Sequence, residues 1–247
     1  MSTGHMTLRR HFLLSTALAL PAAALGATLG ASFPRLPAAE AAERLAPALD
    51  SYKPVFFSGD EWNFVKAACD RLIPSDPEGP GALDTNVPIF IDQELNGSYG
   101  QAADWYMEGP FHPDAPALMG FQLPYAPQEI YRRGIRATGA FCQKTYQKGF
   151  EALDDATRDA VLTKLEHGEI HFPDFGEPLL KAADFFSFLL GNTREGYLSD
   201  PMYGGNKGMA AWKMINFPGA RASFLEWVGQ HNVRYPLGPV SIMGERA

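Results

Sequence analysis

The sequence contains only two cysteines, Cys69 and Cys142, in 247 residues. Two cysteines cannot form a disulfide framework, structural zinc needs several closely spaced thiols, and covalent haem attachment needs a C-x-x-C-H motif, which is absent. Three interpretations of the pair stay open: both are buried free thiols, they bond to each other, or one bonds to a partner chain in an oxidising compartment. Cys142 is the candidate for an intersubunit disulfide, because we expect its neighbours Gln143, Lys144 and Gln147 to be exposed.

The sequence also lacks the common cofactor and nucleophile motifs. It has no P-loop and no G-x-S-x-G, and the glycine-rich run at 204–208 has neither the spacing of G-x-G-x-x-G nor a preceding strand. His167 and His171 stand four residues apart, but Gly168 weakens a helix between them, so a solvated helix end is favoured over a metal site. We therefore expect no catalytic residue, no cofactor and no metal in this chain.

Positive charge is scarce, since 21 Lys and Arg face 28 Asp and Glu and the formal net charge is −7. Nucleic-acid binding needs a basic surface, so this composition argues against it. The few basic residues near the N-terminus include the adjacent pair Arg9 and Arg10, followed by Phe12 and Leu13. An uncharged stretch rich in Ala, Leu and Gly then runs to about Ser32.

These N-terminal features form a basic region, an apolar region and a small-residue exit at Ala39-x-Ala41, which are the three parts of a secretory signal. The pair of arginines indicates the twin-arginine type, which exports folded cargo. We predict a signal peptide over residues 1–42, a mature domain over 43–247 and a periplasmic location. The alternative is an uncleaved membrane anchor, although the stretch is weakly hydrophobic for its length. Cleavage removes three arginines and one glutamate, so the net charge becomes −9.

Apolar residues at helical spacing predict that the mature domain is all-α, and no strand-like alternation of useful length occurs. Ser58 and Glu61 form a capping box for the first helix, Asp154 caps a later one, and Pro178 suits a first helical turn. The predicted helices cover residues 60–73, 88–95, 100–107, 126–151, 155–167, 178–193 and 220–230. Long loops rich in Gly, Pro and aromatic residues connect them, and the loop around 99–124 is expected to be ordered and to pack on something else.

The densest group of polar and aromatic residues lies in residues 200–219. Its candidate interface residues are Tyr203, Gly204, Gly205, Asn206, Trp212, Pro218 and Gly219. Tandem glycines permit positive φ angles and close backbone approach, and Tyr and Trp are favoured interface anchors. Such a group can bind a ligand, dock a partner, or form a tight structural loop before a helix.

Several segments spread over nearly the whole mature chain are recognisable together, and the Tyr-Gly-Gly-Asn run with the following Trp and Pro-Gly is the most specific part. The segments are Arg9-Arg10, Phe56–Ser58 with Glu61, Asp70–Pro74, Gly79–Ala82, Phe90–Asp92, Asp200–Asn206, Trp212 and Phe217–Gly219. On these segments the chain resembles the gluconate 2-dehydrogenase subunit 3 family.

The resemblance implies a three-subunit, membrane-bound dehydrogenase. A large subunit carries FAD, with an iron–sulfur cluster as a further candidate, and oxidises the substrate. A multihaem cytochrome c carries haem c, passes electrons to membrane quinone and anchors the assembly to the outer face of the membrane. The small subunit has no cofactor of its own and serves assembly and folded export of the large subunit. The length of this chain points to D-gluconate among the sugar acids, sugars and polyols that such enzymes oxidise.

Two hypotheses result. In the first, the chain is a non-catalytic subunit whose loops around 99–124 and whose 200–219 cluster pack on the flavoprotein. In the second, it is a free-standing periplasmic enzyme or ligand-binding protein that uses the same cluster.

Overall fold

The computed structural model describes residues 47–221 and 223–247. These residues form six α-helices and no β-strand, which confirms the all-α prediction. The helices are α1 (Gly59–Leu72), α2 (Val87–Asn96), α3 (Pro127–Tyr146), α4 (Asp155–Glu166), α5 (Ala182–Leu198) and α6 (Ala210–Met214). No helix in this part of the chain combines the length and the apolar character needed to cross a membrane. The predicted signal residues, the anchor alternative and the boundary at residue 42 lie outside the described residues.

The helix starts marked by capping residues are where the sequence predicts them. Glu61 donates its backbone N–H to Ser58 Oγ over 3.5 Å, and the Ser58 N–H donates to Glu61 Oε2 over 2.8 Å, which completes the capping box. Asp154 accepts the Thr157 N–H over 2.9 Å at the start of α4. Each of these side chains satisfies backbone groups that the helix end leaves without partners.

Helix α5 lies at the centre of the fold and contacts each of the other five helices. Its Phe185 is fully buried, with ring centroids 6.2 Å from Phe64 of α1 and 6.0 Å from Tyr131 of α3. The Phe185 ring lies where a side chain on Gly134 of α3 would be, so α3 and α5 approach closely at that point. Burial of these aromatic side chains is the main favourable term of the core.

A buried carboxylate on α2 holds the chain that leads into the fold. Asp92 is fully buried, and its Oδ2 accepts the Tyr52 hydroxyl and the Val55 N–H, both over 2.7 Å. Its Oδ1 accepts the N–H groups of Phe56 and Phe57 over 3.0 and 2.9 Å. Four hydrogen bonds to one carboxylate offset the cost of removing it from water.

A second buried carboxylate, Glu177, connects α3 to the turn before α5. It accepts hydrogen bonds from Arg133 (3.0 Å), from the Tyr125 hydroxyl and from the N–H groups of Leu179 and Leu180 (3.2 Å each). Burial alone would raise the pKa of Glu177, but the hydrogen bonds from Arg133 and from Leu180 and Leu179 outweigh it and lower the pKa. The same bonds hold residues 178–181 outside the helix.

Several predicted helix boundaries are therefore wrong. Because the Leu179 and Leu180 N–H groups point to Glu177, Pro178 is not in a first helical turn, and α5 runs over Ala182–Leu198 rather than 178–193. Helix α3 ends at Tyr146 rather than 151, since Gln147 has a φ of 59° and ends the helix in the left-handed region. The short helix α6 was not predicted.

Two predicted helices do not form. Residues 100–104 make consecutive turns, and residues 106–107 have no regular secondary structure. Among the described residues of 220–230, the only helical element is the three-residue 3₁₀ turn Leu225–Trp227, and Leu225 and Val228 are 83% and 72% exposed. An amphipathic pattern produces a stable helix when its apolar face is buried, and here Leu225 and Val228 of that face are exposed.

The aromatic loop around 99–124 packs partly on its own domain. Trp105 stacks edge-on against Tyr99 and Phe121, at 6.1 and 5.0 Å between ring centroids, and its ring lies 6.2 Å from Phe188 of α5. The sequence-based hypothesis assigned this loop to contact with another protein. The structure shows that these three aromatics already have partners in α5 and in the loop itself.

Candidate functional site

The cluster at 200–219 follows directly on the end of α5. Asp200 is buried, and its Oδ1 accepts the Met202 N–H over 3.1 Å at the start of the 3₁₀ turn Pro201–Tyr203. Its Oδ2 accepts the Ile242 N–H over 2.7 Å. One carboxylate thus joins the end of α5 to the C-terminal segment.

The tandem glycines allow the backbone to pack closely against two helices. Gly204 has a φ of 91°, and a Cβ there would lie 2.7 Å from Gln93 Oε1 of α2. A Cβ on Gly205 would collide with the carbonyl oxygen of Gly196 in α5. Glycine is needed at both positions because any side chain would separate the loop from α2 or α5.

Asn206 closes this loop from the inside. Its φ of 42° lies in the left-handed region, which asparagine tolerates better than most residues, and the residue is completely buried. Its Nδ2 donates to the Ser199 carbonyl over 2.9 Å, and its Oδ1 accepts the Ala211 N–H over 3.0 Å. The side chain therefore connects the end of α5 to the start of α6.

Trp212 and the Pro218-Gly219 pair attach the C-terminal segment. Trp212 is 6% exposed, donates its Nε1–H to the Leu198 carbonyl over 2.8 Å and stacks edge-on against Phe217 at 5.1 Å between centroids. The Val240 N–H donates to the Pro218 carbonyl over 3.2 Å. Gly219 has a φ of 71°, and a Cβ there would collide with the Val240 carbonyl oxygen.

The seven predicted interface residues thus lie together, but most of them hold the loop rather than face solvent. Gly204, Gly205, Asn206 and Trp212 are buried, and Pro218 and Gly219 are half-buried. Tyr203 alone among the seven is exposed, at 45%. The exposed side chains of this region include Met202, Phe217 and Ile242, which are not among the seven predicted interface residues.

A groove of about 300 Å³ lies beside the cluster. One wall is formed by residues from Trp212 to Phe217, and the opposite wall by residues 234–239. It contains two exposed cations, Lys213 and Arg234, next to aromatic rings. Sequence reasoning missed this groove because its two walls are about twenty residues apart along the chain. They come together through tertiary contacts such as those of Val240 with Pro218 and Gly219. A separate groove of about 550 Å³, with mostly apolar walls, lies between residues 113–114 and 168–183.

Cys142 is fully buried, although its neighbours Gln143, Lys144 and Gln147 are exposed as expected. Both cysteines are free, and burial raises the pKa of each thiol to about 12. An intersubunit disulfide needs a sulfur atom at the surface, so the burial of Cys142 argues against this candidate, which stays a prediction. Exposed neighbours in the sequence do not imply an exposed thiol here, because Cys142 lies on the face of α3 that is turned to the core.

The two spaced histidines do not form a site. Helix α4 ends before His167, and His171 contacts Asp174, with 3.0 Å between Nδ1 and Oδ1, on a side chain that is 71% exposed. Among the described residues, no group of three or more His, Cys, Asp or Glu side chains is arranged to hold a metal ion.

Comparison with known proteins finds one family. The family model described as gluconate 2-dehydrogenase subunit 3 matches residues 59–219, well over half of the chain. The match begins at α1 and ends at Gly219, so it includes the 200–219 cluster and one wall of the groove. No curated protein and no solved structure matches the chain.

Proposed function

The chain belongs to the gluconate 2-dehydrogenase subunit 3 family, and from this membership we propose that it is the non-catalytic small subunit of a periplasm-facing dehydrogenase. Its partners are a large subunit that carries FAD, with an iron–sulfur cluster as a further candidate, and a multihaem cytochrome c. The complex oxidises D-gluconate or a related sugar acid or polyol. It sits on the outer face of the cytoplasmic membrane through its cytochrome subunit.

The family match carries this proposal, because a family named as subunit 3 implies an oxidoreductase complex with other subunits. The non-catalytic role is supported by the bonding of the cluster. Asp200, Asn206 and Trp212 direct their polar atoms to backbone groups of this same chain. A catalytic group must instead reach a reacting atom of a substrate.

The export role rests on the arginine pair at residues 9 and 10. A flavoprotein folds around FAD in the cytoplasm, and a partner with a twin-arginine signal can carry it across the membrane already folded. The signal on this chain then serves both subunits.

The test is co-expression of the tagged full chain with the products of its neighbouring genes. We expect a flavin-containing subunit and a haem-containing subunit to co-purify, with gluconate-dependent reduction of an electron acceptor. Replacing Arg9 and Arg10 by lysine should leave the flavoprotein in the cytoplasm. The control variant Arg35→Lys, at an arginine outside the pair, should still allow export of the flavoprotein. Purification of the tagged chain alone and monodisperse would contradict the proposal.

A free-standing ligand-binding protein is the second candidate, because the groove holds Lys213 and Arg234 where a carboxylate ligand could pair with them. Titration calorimetry of the purified chain with D-gluconate tests it. Saturable heat that Lys213→Ala removes would favour this candidate, and the absence of heat would count against it.

A further inference from the structure

The exposed apolar side chains of this chain are concentrated near its C-terminus. In the described part of the chain, twelve of the eighteen large hydrophobic residues that are exposed fall within residues 198–243. Scattered exposed hydrophobics are ordinary, but a concentration of this kind marks an interaction site.

Contacts within the fold bring part of this set onto one surface. Met202 and Ile242 donate their N–H groups to the two oxygens of the same carboxylate, that of Asp200, so these residues are close neighbours. Phe217 and Leu237 both line the groove. The Gly219–Val240 contact joins the two halves. We call Met202, Tyr203, Phe217, Leu237 and Ile242, with the groove, the C-terminal surface.

This surface is preformed. Asp200 and Asn206 are buried, and each forms hydrogen bonds to backbone groups of two different segments. Trp212 donates a hydrogen bond to the Leu198 carbonyl. A rigid surface loses little conformational entropy when a partner binds.

The C-terminal surface also differs in charge from the rest of the mature chain. Residues 43–200 carry 25 acidic and 13 basic side chains, a net charge of −12, whereas residues 201–247 carry 2 acidic and 5 basic ones, a net charge of +3. Lys213 and Arg234 lie in the groove among the rings of Trp212, Phe217 and Tyr235. A binding segment that matches this groove has carboxylates next to apolar or aromatic side chains.

We propose that the C-terminal surface is where this chain docks its partner subunit, and that the groove receives an acidic, apolar segment of the large subunit. This inference rests on the proposed function. The groove volume, about 300 Å³, is at the small end of the ~300–1,000 Å³ range of ligand pockets, which suits a few side chains of a segment. The family match ends at Gly219, so the groove wall formed by residues 234–239 lies outside the matched region. This wall then makes the C-terminal surface specific for the large subunit of this particular complex.

A protein partner fits this surface better than a lipid bilayer does. A common way to bind a membrane surface through apolar and basic residues is a long amphipathic helix. Between residues 215 and 247, the only helical element among the described residues is the three-residue 3₁₀ turn Leu225–Trp227. Met and aromatic side chains at the surface with Arg beside them are the composition of protein interfaces.

The experiment compares two pairs of double variants in the full chain, each co-expressed with the neighbouring genes. Lys213→Glu with Arg234→Glu reverses the charge of the groove, and Lys53→Glu with Lys148→Glu makes the same charge change at exposed lysines outside it. Ile242→Ser with Met202→Ser removes apolar contact area, and Val55→Ser with Leu118→Ser is its control, with side chains that are 61% and 99% exposed. Circular dichroism and the thermal midpoint establish that every variant is folded.

We expect both surface pairs to weaken binding of the flavoprotein by at least about tenfold, which corresponds to ~1.4 kcal/mol, and both control pairs to leave it within about twofold. Binding of the flavoprotein to the wild-type chain should weaken as the NaCl concentration rises. Binding to the double variant Lys213→Glu with Arg234→Glu should no longer weaken with salt in this way.

If the wild-type complex forms and none of the four pairs affects it, this inference is wrong and the proposed function stands. If no flavoprotein binds even the wild-type chain, both fail. Two further assays use the wild-type chain alone: sedimentation with phosphatidylglycerol-containing vesicles, and light scattering for self-association. Loss of either interaction in the surface variants while the complex is retained would overturn the inference and assign the surface to a membrane or to a second copy.

Discussion

Replacement of Asp92 by asparagine should loosen the segment that leads into the fold. The substitution keeps the shape of the side chain but replaces one acceptor oxygen by an NH₂ group. Each oxygen of Asp92 accepts at least one backbone N–H: Oδ2 accepts that of Val55, and Oδ1 those of Phe56 and Phe57. Whichever way the amide turns, its NH₂ group faces a backbone N–H, which is also a donor and cannot accept a hydrogen bond.

The magnitude follows from these bonds. A hydrogen bond to a charged group contributes ~1.5–3 kcal/mol to stability, and one between neutral groups ~0.5–1.5 kcal/mol. Loss of one charged bond, and conversion of two others to neutral bonds at a cost of about 1 kcal/mol each, lowers the free energy of unfolding by about 3–5 kcal/mol. Phe57 is 5% exposed and its ring lies 5.9 Å from Tyr131, so its packing is disturbed as well.

Urea unfolding measures the change in stability, and hydrogen exchange of the amides of residues 55–57 reports the local effect. Asp114→Asn is the matched control, because that carboxylate is 98% exposed and its loss should leave the unfolding midpoint unchanged. If Asp92→Asn unfolds within about 1 kcal/mol of the wild type and protects residues 55–57 equally, the carboxylate does not hold this segment and the reasoning from the buried bonds is wrong.

Three further predictions concern the core and the thiols. Gly134→Ala should destabilise the chain by about 1–3 kcal/mol in thermal unfolding, because the new methyl meets a buried ring, whereas Gly139→Ala in the same helix meets open space and should stabilise it by up to about 1 kcal/mol. The pKa of Glu177 is lowered in the folded state, so the ionised side chain contributes its full stabilisation above the ordinary glutamate pKa of ~4.3 and loses it as the pH falls through the folded value. Glu177→Gln should therefore lower the free energy of unfolding at pH 7. In urea titrations from pH 7 to 3, the stability of this variant should fall less steeply with pH than that of the wild type. Cys69 and Cys142 should react with a thiol reagent only on unfolding, and a heavier band on a non-reducing gel of the complex that Cys142→Ser removes would contradict this.

The positions of most helices could be predicted because their signals are local. The Ser58–Glu61 capping box and the Asp154 cap satisfy backbone groups within three residues, so they act in nearly any tertiary context. Residues 220–230 have an equally suggestive pattern, yet the described residues of this range form only the 3₁₀ turn Leu225–Trp227. Periodicity records which side chains could be buried together, and it does not record whether another element is present to bury them.

The cluster at 200–219 was predictable as a group, and the roles of its members were not. Tandem glycines and an asparagine indicate unusual backbone angles, which the structure has at Gly204 and Asn206. That Asn206 and Trp212 face inward depends on contacts with Ser199 and Leu198 at the end of α5, and the pattern alone does not contain these contacts. The buried position of Cys142 is a similar case, since Gln143, Lys144 and Gln147 are exposed although Cys142 faces the core.

By itself, the sequence determined the helical class, the capped helix starts, the acidic character of the chain and the family resemblance, because each depends on residue types and spacings along the chain. Only the tertiary structure decided which polar side chains form hydrogen bonds within the chain, where Glu177 interrupts a helical pattern, and how Lys213 and Arg234 come to line one groove. Those outcomes depend on groups far apart in sequence, such as Asp92 with Tyr52 and Asp200 with Ile242, whose hydrogen bonds form only once the chain has packed.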